Sequence, residues 1–465
     1  MPENPPTVHA AGQLRRHVSG AMLTRDDPGY DQARRGWGLA VDQHPALVVI
    51  PDDTSDVATA VRVARDTGLG VAVQSTGHGV LYPGDDSLLV VTSRLTSVHV
   101  DPAARTARVG AGATWQVVLD AATPHGLAPL LGSAPHVGVV GYVLGGGIGW
   151  LGRLYGFGCD SVRSFEIVTG DGRIRRTDAT DHADLFWALR GGGGNFGIVT
   201  AVELDLHPVP RLYGGTLIYP EQHAREALLR YRDWIATLPD ELTSAFAIVR
   251  LPHHDDVPEP LRGQVLAMVT GAYAGTAADG EKWLRPWREW RTPLEDAFRE
   301  MPFAEVGAIT NDPTEPVAEF GSSEMFDELS DEAVDVILRH ATDASSPLTL
   351  NVLRHAGGAI ARVAPEETAI GNRDASLYLL MAGEIPDPPA RAAVESYVER
   401  YRTALRPHTR RGVWLNFMNG NGAGARQRIG EAYSPATHER LLAVKAIYDP
   451  DGLFRFSFPW AGTPA

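Results

Sequence analysis

Two reactive side chains, His78 and Cys159, each occur in a glycine-rich turn. A neutral imidazole or a thiolate can bond covalently to a substrate or a cofactor, and the two together could form a nucleophile–base pair. Cys159 is the only cysteine in the chain and has no histidine pair at ligand spacing nearby, so these residue types do not predict a zinc site. Taken alone, each residue also fits a structural role, as a hydrogen-bonded histidine or a small buried hydrophobic side chain.

Two glycine-rich stretches surround these residues. Residues 132–160 combine many glycines with valine, leucine and isoleucine, whereas a flexible surface loop would be polar. Because glycine lets another group approach the backbone closely, this run predicts a backbone laid against a large flat or charged ligand. The turn at residues 74–79 follows a short apolar segment, and its small residues can point several backbone N–H groups at one phosphate.

The pattern G-x-G-x-x-G is present at Gly192, Gly194 and Gly197. In dinucleotide-binding Rossmann folds this motif follows a strand and opens a helix. Here a predicted helix at residues 184–190 precedes it and a predicted strand at residues 198–207 follows it. The sequence therefore does not predict a Rossmann fold.

The elements that must position the turns can be predicted from periodicity. Residues 46–50 and 71–74 predict strands, and the helix between them has Thr54 and Ser55 as expected N-cap residues and Gly68 as its end. This β-α-β unit leads directly into the turn that carries His78. Beyond residue 210, long helices alternate with strands, which favours a second α+β domain with an antiparallel sheet backed by helices. Residues 411–419 predict one further strand.

Length and charge limit the class of protein. The chain has 465 residues and a formal net charge of −15, which favours two or three domains and argues against a nucleic-acid-binding protein. No stretch has the apolar length of a membrane span or the pattern of a signal peptide. With one cysteine and no internal disulfide, we expect a cytoplasmic protein that does not bind membranes.

The chain resembles the berberine-bridge-enzyme-type FAD-linked oxidases, which carry a PCMH-type FAD-binding domain and belong to the vanillyl-alcohol-oxidase superfamily. It looks most like the bacterial natural-product branch. The resemblance extends over almost the whole chain. It rests on residues 46–49, 71–79, 107–115, 144–150, 155–160, 184–199, 357–363, 413–419 and 448–455.

The resemblance implies a site for FAD. It implies that the turn at residues 74–79 holds the pyrophosphate, that His78 bonds the flavin 8α-methyl group, and that Cys159 bonds flavin C6, giving a bicovalent cofactor. Ile198 and Val199 would meet the adenine end, and Val162 would lie near the position that controls oxygen access. The other residues expected to contact FAD are Gln74, Ser75, Thr76, Gly77, Gly79, Gly132, Ser133, Val137, Gly138, Gly141, Gly145, Gly146, Gly149, Gly197, Asn416 and Phe417.

The sequence does not identify the catalytic base. Phe417 stands where many relatives have a tyrosine, and Met381 stands where another branch has a carboxylate, so neither can take a proton. Tyr378 and His355 are the substitutes that the sequence offers. Strand alternation places His355 and Leu353 on one face and Arg354 and Val352 on the other, and either face could meet the flavin.

The resemblance implies an α+β fold with a two-part FAD-binding domain, residues 1–210 and 411–465, and a substrate-binding domain at residues 211–410. We expect an oxidase that transfers hydride from an apolar or polycyclic small molecule, with O₂ as acceptor, H₂O₂ as product and a monomeric or homodimeric state. An aromatic C-terminal segment, residues 456–460, favours such a substrate over a sugar. A flavin-dependent cyclase or oxygenase, and a drug-binding self-resistance protein, remain alternatives.

Overall fold

The computed structural model describes residues 5–252, 259, 262–418 and 428–458. Its architecture is α+β, as the sequence predicts, with two sheets in the first part of the chain and a third sheet in the middle part. Among the described residues, no helix combines the length and the apolar character that a bilayer span needs.

The first sheet carries the turn with His78. Its strands are β1 (Ala21–Thr24), β2 (Leu47–Ile50), β3 (Val71–Gln74) and β4 (Leu88–Val91), and the helices of this region are α1 (Pro5–His17), α2 (Tyr30–Arg34) and α3 (Thr54–Thr67). The strand order is β1-β2-β4-β3, with β4 parallel to both β2 and β3. Helix α3 connects β2 to β3, so the predicted β-α-β unit is confirmed.

The prediction of Thr54 and Ser55 as N-cap residues of α3 was wrong, because the N-cap is the residue before them. Asp53 is the N-cap, and its carboxylate accepts a hydrogen bond of 2.9 Å from the backbone N–H of Asp56. Thr54 is already the first helical residue, and its hydroxyl donates instead to Glu166 on a neighbouring strand. Gly68 ends the helix with φ 74°, a left-handed conformation that glycine adopts without strain.

The second sheet is antiparallel throughout. Its strands are β5 (Val98–Asp101), β6 (Thr106–Gly110), β7 (Val162–Thr169), β8 (Ile174–Asp178) and β9 (Gly197–Asp205), in the order β5-β6-β9-β7-β8. The accompanying helices are α4 (Trp115–Ala122), α5 (Val139–Leu144), α6 (Gly152–Tyr155) and α7 (Ala183–Leu189). Of the G-x-G-x-x-G glycines, Gly192 and Gly194 lie between α7 and β9 and Gly197 begins β9, which confirms that they do not open a helix.

The third sheet is antiparallel and has helices on one face, as predicted. Its strands are β10 (Arg211–Pro220), β11 (Leu242–Arg250), β12 (Val265–Tyr273), β13 (Glu295–Asp296), β14 (Arg299–Pro302), β15 (Glu319–Phe326), β16 (Leu350–His355) and β17 (Leu377–Glu384). The order is β13-β10-β12-β11-β16-β17-β15, and β14 also pairs with β10. The helices of this part are α8 (Ala224–Ile235), α9 (Ala277–Trp290), α10 (Asp331–Ala341), α11 (Ala359–Arg362) and α12 (Pro388–Leu405).

The two faces of this sheet belong to different cores. Leu353 and Met381 pack in the core shared with the helices. On the opposite face, Ala245, Ala247 and Val352 pack in the core that the first part of the chain forms. Every second residue along these strands therefore packs on the first part of the chain, which contains the glycine run.

The strand predicted for residues 411–419 is not formed in its described part, residues 411–418. A 3₁₀ turn, Leu415–Phe417, lies there instead, and Asn419 is outside the described residues. Hydrogen bonds to side chains take the place of strand pairing here. The backbone N–H of Trp414 donates to the hydroxyl of Ser323. The side-chain amide of Asn416 accepts from the backbone N–H of Gly147 and donates to the carbonyl oxygen of Tyr142, both in the glycine run. Helix α13 (Pro435–Tyr448) follows, and its Leu441 and Val444 pack in the core of the first part of the chain.

Candidate active site

A cavity of about 400 Å³ lies where the three sheets meet. Its wall is formed by the end of β3 and the following turn, by the glycine run, by Arg354 of β16 and by the C-terminal segment. The predicted cofactor-binding residues that line it are Gln74, Ser75, Thr76, Gly77, His78, Gly79, Gly132, Ser133, Val137, Gly138, Gly141, Gly145, Gly197, Val199, Asn416 and Phe417. The predicted site residues that are not in this wall are Cys159, Gly146, Gly149, Val162, Ile198, His355 and Tyr378.

His78 is held with one ring nitrogen engaged and the other one unbonded. Its Nδ1 lies 2.8 Å from the hydroxyl of Thr76, while Nε2 is buried and has no hydrogen-bond partner among the described residues. The ring stacks on Trp37, with centroids 4.4 Å apart, and it lies 4.9 Å from the ring of His136. Burial, together with the charge of His136, lowers the pKa of His78 to about 4, so the imidazole is neutral at pH 7.

The turn that carries His78 is fixed by a second segment of backbone. The N–H groups of Trp37 and Gly38 donate to the carbonyl oxygens of Thr76 and Gly77, at 2.9 and 3.0 Å. Gly77 has φ 78°, and a Cβ atom at this position would lie 2.3 Å from the Cα atom of Gly36. Gly77 is therefore required both for the conformation of the turn and for this close approach.

Several glycines of the run make room for one aromatic ring, that of Tyr142. A Cβ atom on Gly147 or Gly158 would lie 2.1 or 2.7 Å from this ring, and the ring also packs edge-on against Trp115. By contrast, a Cβ atom on Gly141 would meet no atom within 4 Å, and Gly141 lines the cavity. Only part of the run therefore lines the cavity, whereas the sequence predicts that the whole run lies along the cofactor.

Cys159 lies behind the glycine run. Its backbone N–H donates to Gly146, and its side chain packs in an apolar cluster with Phe157, Trp414 and Tyr378. Burial and the neighbouring Asp160 raise the pKa of the Cys159 thiol well above its usual range. A buried, protonated thiol outside the cavity wall does not support the predicted bond to flavin C6.

Neither predicted base reaches the cavity wall. His355 lies on the face of β16 opposite Arg354, 3.0 Å from the guanidinium of Arg153, and its pKa is lowered to about 3 by burial and that charge. The hydroxyl of Tyr378 donates to the carbonyl oxygen of Asn372 at 3.3 Å, and burial raises its pKa. Met381, the position compared with a carboxylate, packs in the core shared with the helices.

The sequence reasoning did not assign several polar residues of the cavity wall, among them Gln43, Tyr142 and Arg354. Gln43 donates to the side chain of Gln74 at 2.8 Å, and the hydroxyl of Tyr142 is buried without a partner among the described residues. Arg354 projects into the wall over the ring of Phe417. The alternation of β16 did offer Arg354, but only the packing of Val352 against the first part of the chain decides which face is turned inward.

The cavity wall has the features that FAD requires. Ser75 Oγ and His78 Nε2 are buried polar atoms without partners in the described protein, which is costly unless a ligand bonds to them. Gly79 and Gly141 both leave open space where other residues would place a Cβ atom. The wall also offers apolar and aromatic surface for a flat ring, from Val137, Leu144, Ile148, Phe417, Phe456 and Phe458. Pro459 and Trp460, predicted to extend this surface, lie outside the described residues.

Comparison with known proteins agrees with this fit. Residues 45–178 match the FAD binding domain family. The uncharacterized FAD-linked oxidoreductase YgaK of Bacillus subtilis (strain 168) is 28% identical over 454 residues, which cover 94% of this chain and 96% of that protein. The (R)-6-hydroxynicotine oxidase of Paenarthrobacter nicotinovorans is 29% identical over 460 residues, which cover 95% and 96% of the two proteins. The structure of wild-type BBE-like 1 of Physcomitrella patens superposes with a TM-score of 0.83 over 97% of this chain and 99% of that one, at 21% identity.

The fold and the cavity define the class of this protein as an FAD-linked oxidoreductase. The chain contains an FAD binding domain at residues 45–178 and has the fold of berberine-bridge-enzyme-like proteins. It is an enzyme, since its full-length relatives are FAD-linked oxidoreductases and oxidases.

Proposed function

We propose that this protein is an oxidase that carries FAD covalently on His78, takes hydride from an apolar or polycyclic small molecule, and uses O₂ as the electron acceptor with H₂O₂ as product. The observation that carries the proposal is His78 itself, a neutral imidazole in the cavity wall whose buried Nε2 has no partner among the described residues. An unprotonated ring nitrogen is nucleophilic, whereas an imidazolium is not.

The wall residues divide the work of holding the cofactor. Bound FAD would supply an acceptor for the two electrons and the proton of a hydride. Ser75, Thr76 and Gly79 belong to the turn proposed to hold its phosphates, and Thr76 also orients His78 through the contact at Nδ1. The aromatic side chains Phe417, Phe456 and Phe458 line part of the remaining wall, where they would exclude water from the bound cofactor.

The proton of the substrate would leave without the help of a carboxylate on the wall. No aspartate or glutamate is among the described residues that line the cavity, and the predicted bases Tyr378 and His355 lie outside the wall. The aromatic side chains Phe417, Phe456 and Phe458 of the wall are what supports an apolar substrate over a sugar. The (R)-6-hydroxynicotine oxidase noted above is, by its name, an oxidase of a small cyclic compound.

The proposal assigns one tether, His78, where the sequence predicts two. Intact mass and acid precipitation of the purified protein test this without a substrate. We expect the wild type and Cys159→Ala to keep flavin in the acid pellet and His78→Ala to lose it. If His78→Ala keeps covalent flavin and only the double variant loses it, the bicovalent prediction is right and the single-tether proposal is wrong.

His207 provides a matched control. Its Nε2 is also buried without a partner among the described residues and its pKa is also lowered to about 4, but it stacks on Tyr155 away from the cavity wall. His207→Ala should therefore keep covalent flavin. If the wild type is yellow but loses its colour in acid, the covalent link fails while FAD binding stands, and a colourless wild type overturns the proposed function.

Once flavin is present, a peroxidase-coupled assay tests the oxidase step. Apolar alcohols and cyclic amines added in air should give H₂O₂ in amounts equal to the substrate oxidised. Oxidation that reduces the flavin but gives no H₂O₂ in air would contradict O₂ as the acceptor.

A further inference from the structure

Arg354 brings an unpaired positive charge to the cavity wall. Its Nε is buried without a hydrogen-bond partner, and no carboxylate of the described residues forms an ion pair with its guanidinium. The contact that the guanidinium does make is with the ring of Phe417, whose centroid is 5.2 Å from Cζ. Burial lowers the pKa of Arg354, and the charge of Asp312 only partly offsets this effect.

Each arginine of the described residues that is fully buried pairs with a carboxylate, although Nε of Arg373 also lacks a hydrogen-bond partner there. Arg373 donates to both carboxylate oxygens of Asp160, at 2.6 and 3.0 Å. Arg428 pairs with Glu324 at 2.8 Å. Arg153 donates to the carbonyl oxygens of Leu242 and Ala356 and lies 3.5 Å from Asp240. Arg354 is half-buried and has no such carboxylate among the described residues, and it is the arginine that lines the cavity.

An unpaired charge in a cavity is costly, because partial removal from water takes away part of its hydration. A ligand that carries an anionic oxygen would replace it, and the planar guanidinium matches such a group with two N–H donors. The phosphates of FAD are an unsuitable candidate, since they are proposed to lie at the 75–79 turn, whereas Arg354 projects from the third sheet beside Phe417. The partner is then the molecule that enters between this sheet and the cofactor.

We propose that Arg354 binds an anionic oxygen of the substrate, either a carboxylate or an ionised phenol, and that Phe417 contacts the aromatic or apolar body of the same molecule. The inference rests on the proposed function for the existence of a substrate at this place. It narrows the substrate class from apolar small molecules to apolar molecules that carry one anionic oxygen.

Binding of simple test ligands to the flavin-containing protein examines this proposal. Benzoate supplies a carboxylate, pentafluorophenolate supplies an ionised phenol, and benzamide is the uncharged counterpart of benzoate. Calorimetric titration and the change in flavin absorbance are two independent readouts of binding. The variants are Arg354→Met, Arg354→Lys and the control Arg362→Met, whose exposed side chain pairs with Asp240 outside the cavity wall.

We expect the wild type to bind at least one of the anions more tightly than benzamide. Arg354→Met should weaken the binding of that anion by about tenfold to a hundredfold, which is the effect of losing a hydrogen bond to a charged group. Arg354→Lys should be intermediate, since an ammonium group cannot bind in the same bidentate manner, and Arg362→Met should bind as the wild type does. The anion that binds more tightly identifies the source of the charge.

Two results would overturn the proposal. In the first, the wild type and Arg354→Met bind both anions equally or not at all. In the second, Arg354→Met loses its flavin, which would assign Arg354 to the cofactor. A thermal unfolding measurement accompanies the titration, because removal of an unpaired, half-buried charge should leave the melting temperature unchanged or raise it. If the wild type itself holds no flavin, the proposed function fails, while calorimetry with the same variants still tests Arg354.

Discussion

The rings of Trp37 and His78 are stacked almost parallel, with 10° between their planes and 4.4 Å between their centroids. Trp37 comes from the loop before β2, and its backbone N–H also donates to the turn that carries His78. Its indole Nε1–H donates to the carbonyl oxygen of Thr314, before β15. The orientation of the proposed flavin-binding imidazole is therefore fixed jointly by the N-terminal part of the chain and by the third-sheet region.

Trp37→Ala should slow the covalent attachment of flavin without preventing FAD binding. An aromatic pair contributes about 0.5–1.5 kcal/mol beyond its buried area, so the loss of a fixed ring plane should slow attachment by up to about tenfold. The measurement is the fraction of flavin that stays with acid-precipitated protein at successive times after FAD is added to the flavin-free form. Trp37→Phe keeps a stacking ring and should behave nearly as the wild type. An unchanged rate in Trp37→Ala would show that the stack does not orient His78.

Two glycine substitutions should separate the part of the run that faces the ligand from the part that faces Tyr142. Gly141→Ala adds a methyl group to open space at the cavity wall, inside helix α5, so the protein should fold normally and bind FAD more weakly. Gly147→Ala places a methyl group 2.1 Å from the ring of Tyr142 at φ 79°, so the soluble yield or the melting temperature should fall sharply. Equal effects of the two substitutions on folding and on FAD binding would refute this division.

Local patterns in the sequence predict where the turn at residues 74–79 lies, and the family resemblance supplies most of the other predicted residues that line the cavity. The end of β3 and the glycine-rich turn at residues 75–79 are contiguous, so the position of His78 follows from one strand and its exit. The surroundings of Gly147 and Cys159 do not follow from local patterns. Whether a glycine makes room for a ligand or for Tyr142, and whether a cysteine faces the cavity or Trp414, depends on packing between distant segments. The choice between Arg354 and His355 likewise depends on which sheet face the first part of the chain covers.

Buried neutral histidines should make the protein sensitive to mild acid. The pKa of His207 is lowered to about 4 and that of His355 to about 3, against 6.5 in the unfolded chain. Below pH 6.5 the unfolded state takes up protons that the folded state does not, so the free energy of unfolding falls as the pH falls from 6.5 towards 4. Urea unfolding of the wild type should give a clearly lower free energy of unfolding at pH 5 than at pH 7.

One histidine variant tests the cause of this acid sensitivity. Each buried histidine that stays neutral contributes up to about 2 kcal/mol of loss between pH 6.5 and pH 5. His207→Gln lacks one such group away from the cavity, so its loss between pH 7 and pH 5 should be smaller than that of the wild type by up to this amount. A variant with the full wild-type loss would exclude His207 as a source of the sensitivity.

Glu319, at the start of β15, should make the protein less stable as the pH rises through 7. Burial, with the charges of Glu384 and Asp312, raises its pKa to about 7 from an unfolded value of 4.5. Between these two pH values the folded state holds a proton that the unfolded state has released, so the stabilising contribution of the protonated group is complete below pH 4.5 and is lost as the pH rises through 7. Glu319→Gln removes the titration and keeps the shape of the protonated side chain. We expect the melting temperature of this variant to exceed that of the wild type at pH 8.5 and to equal it at pH 5. Equal melting temperatures at both pH values would show that Glu319 is not held in this electrostatic environment.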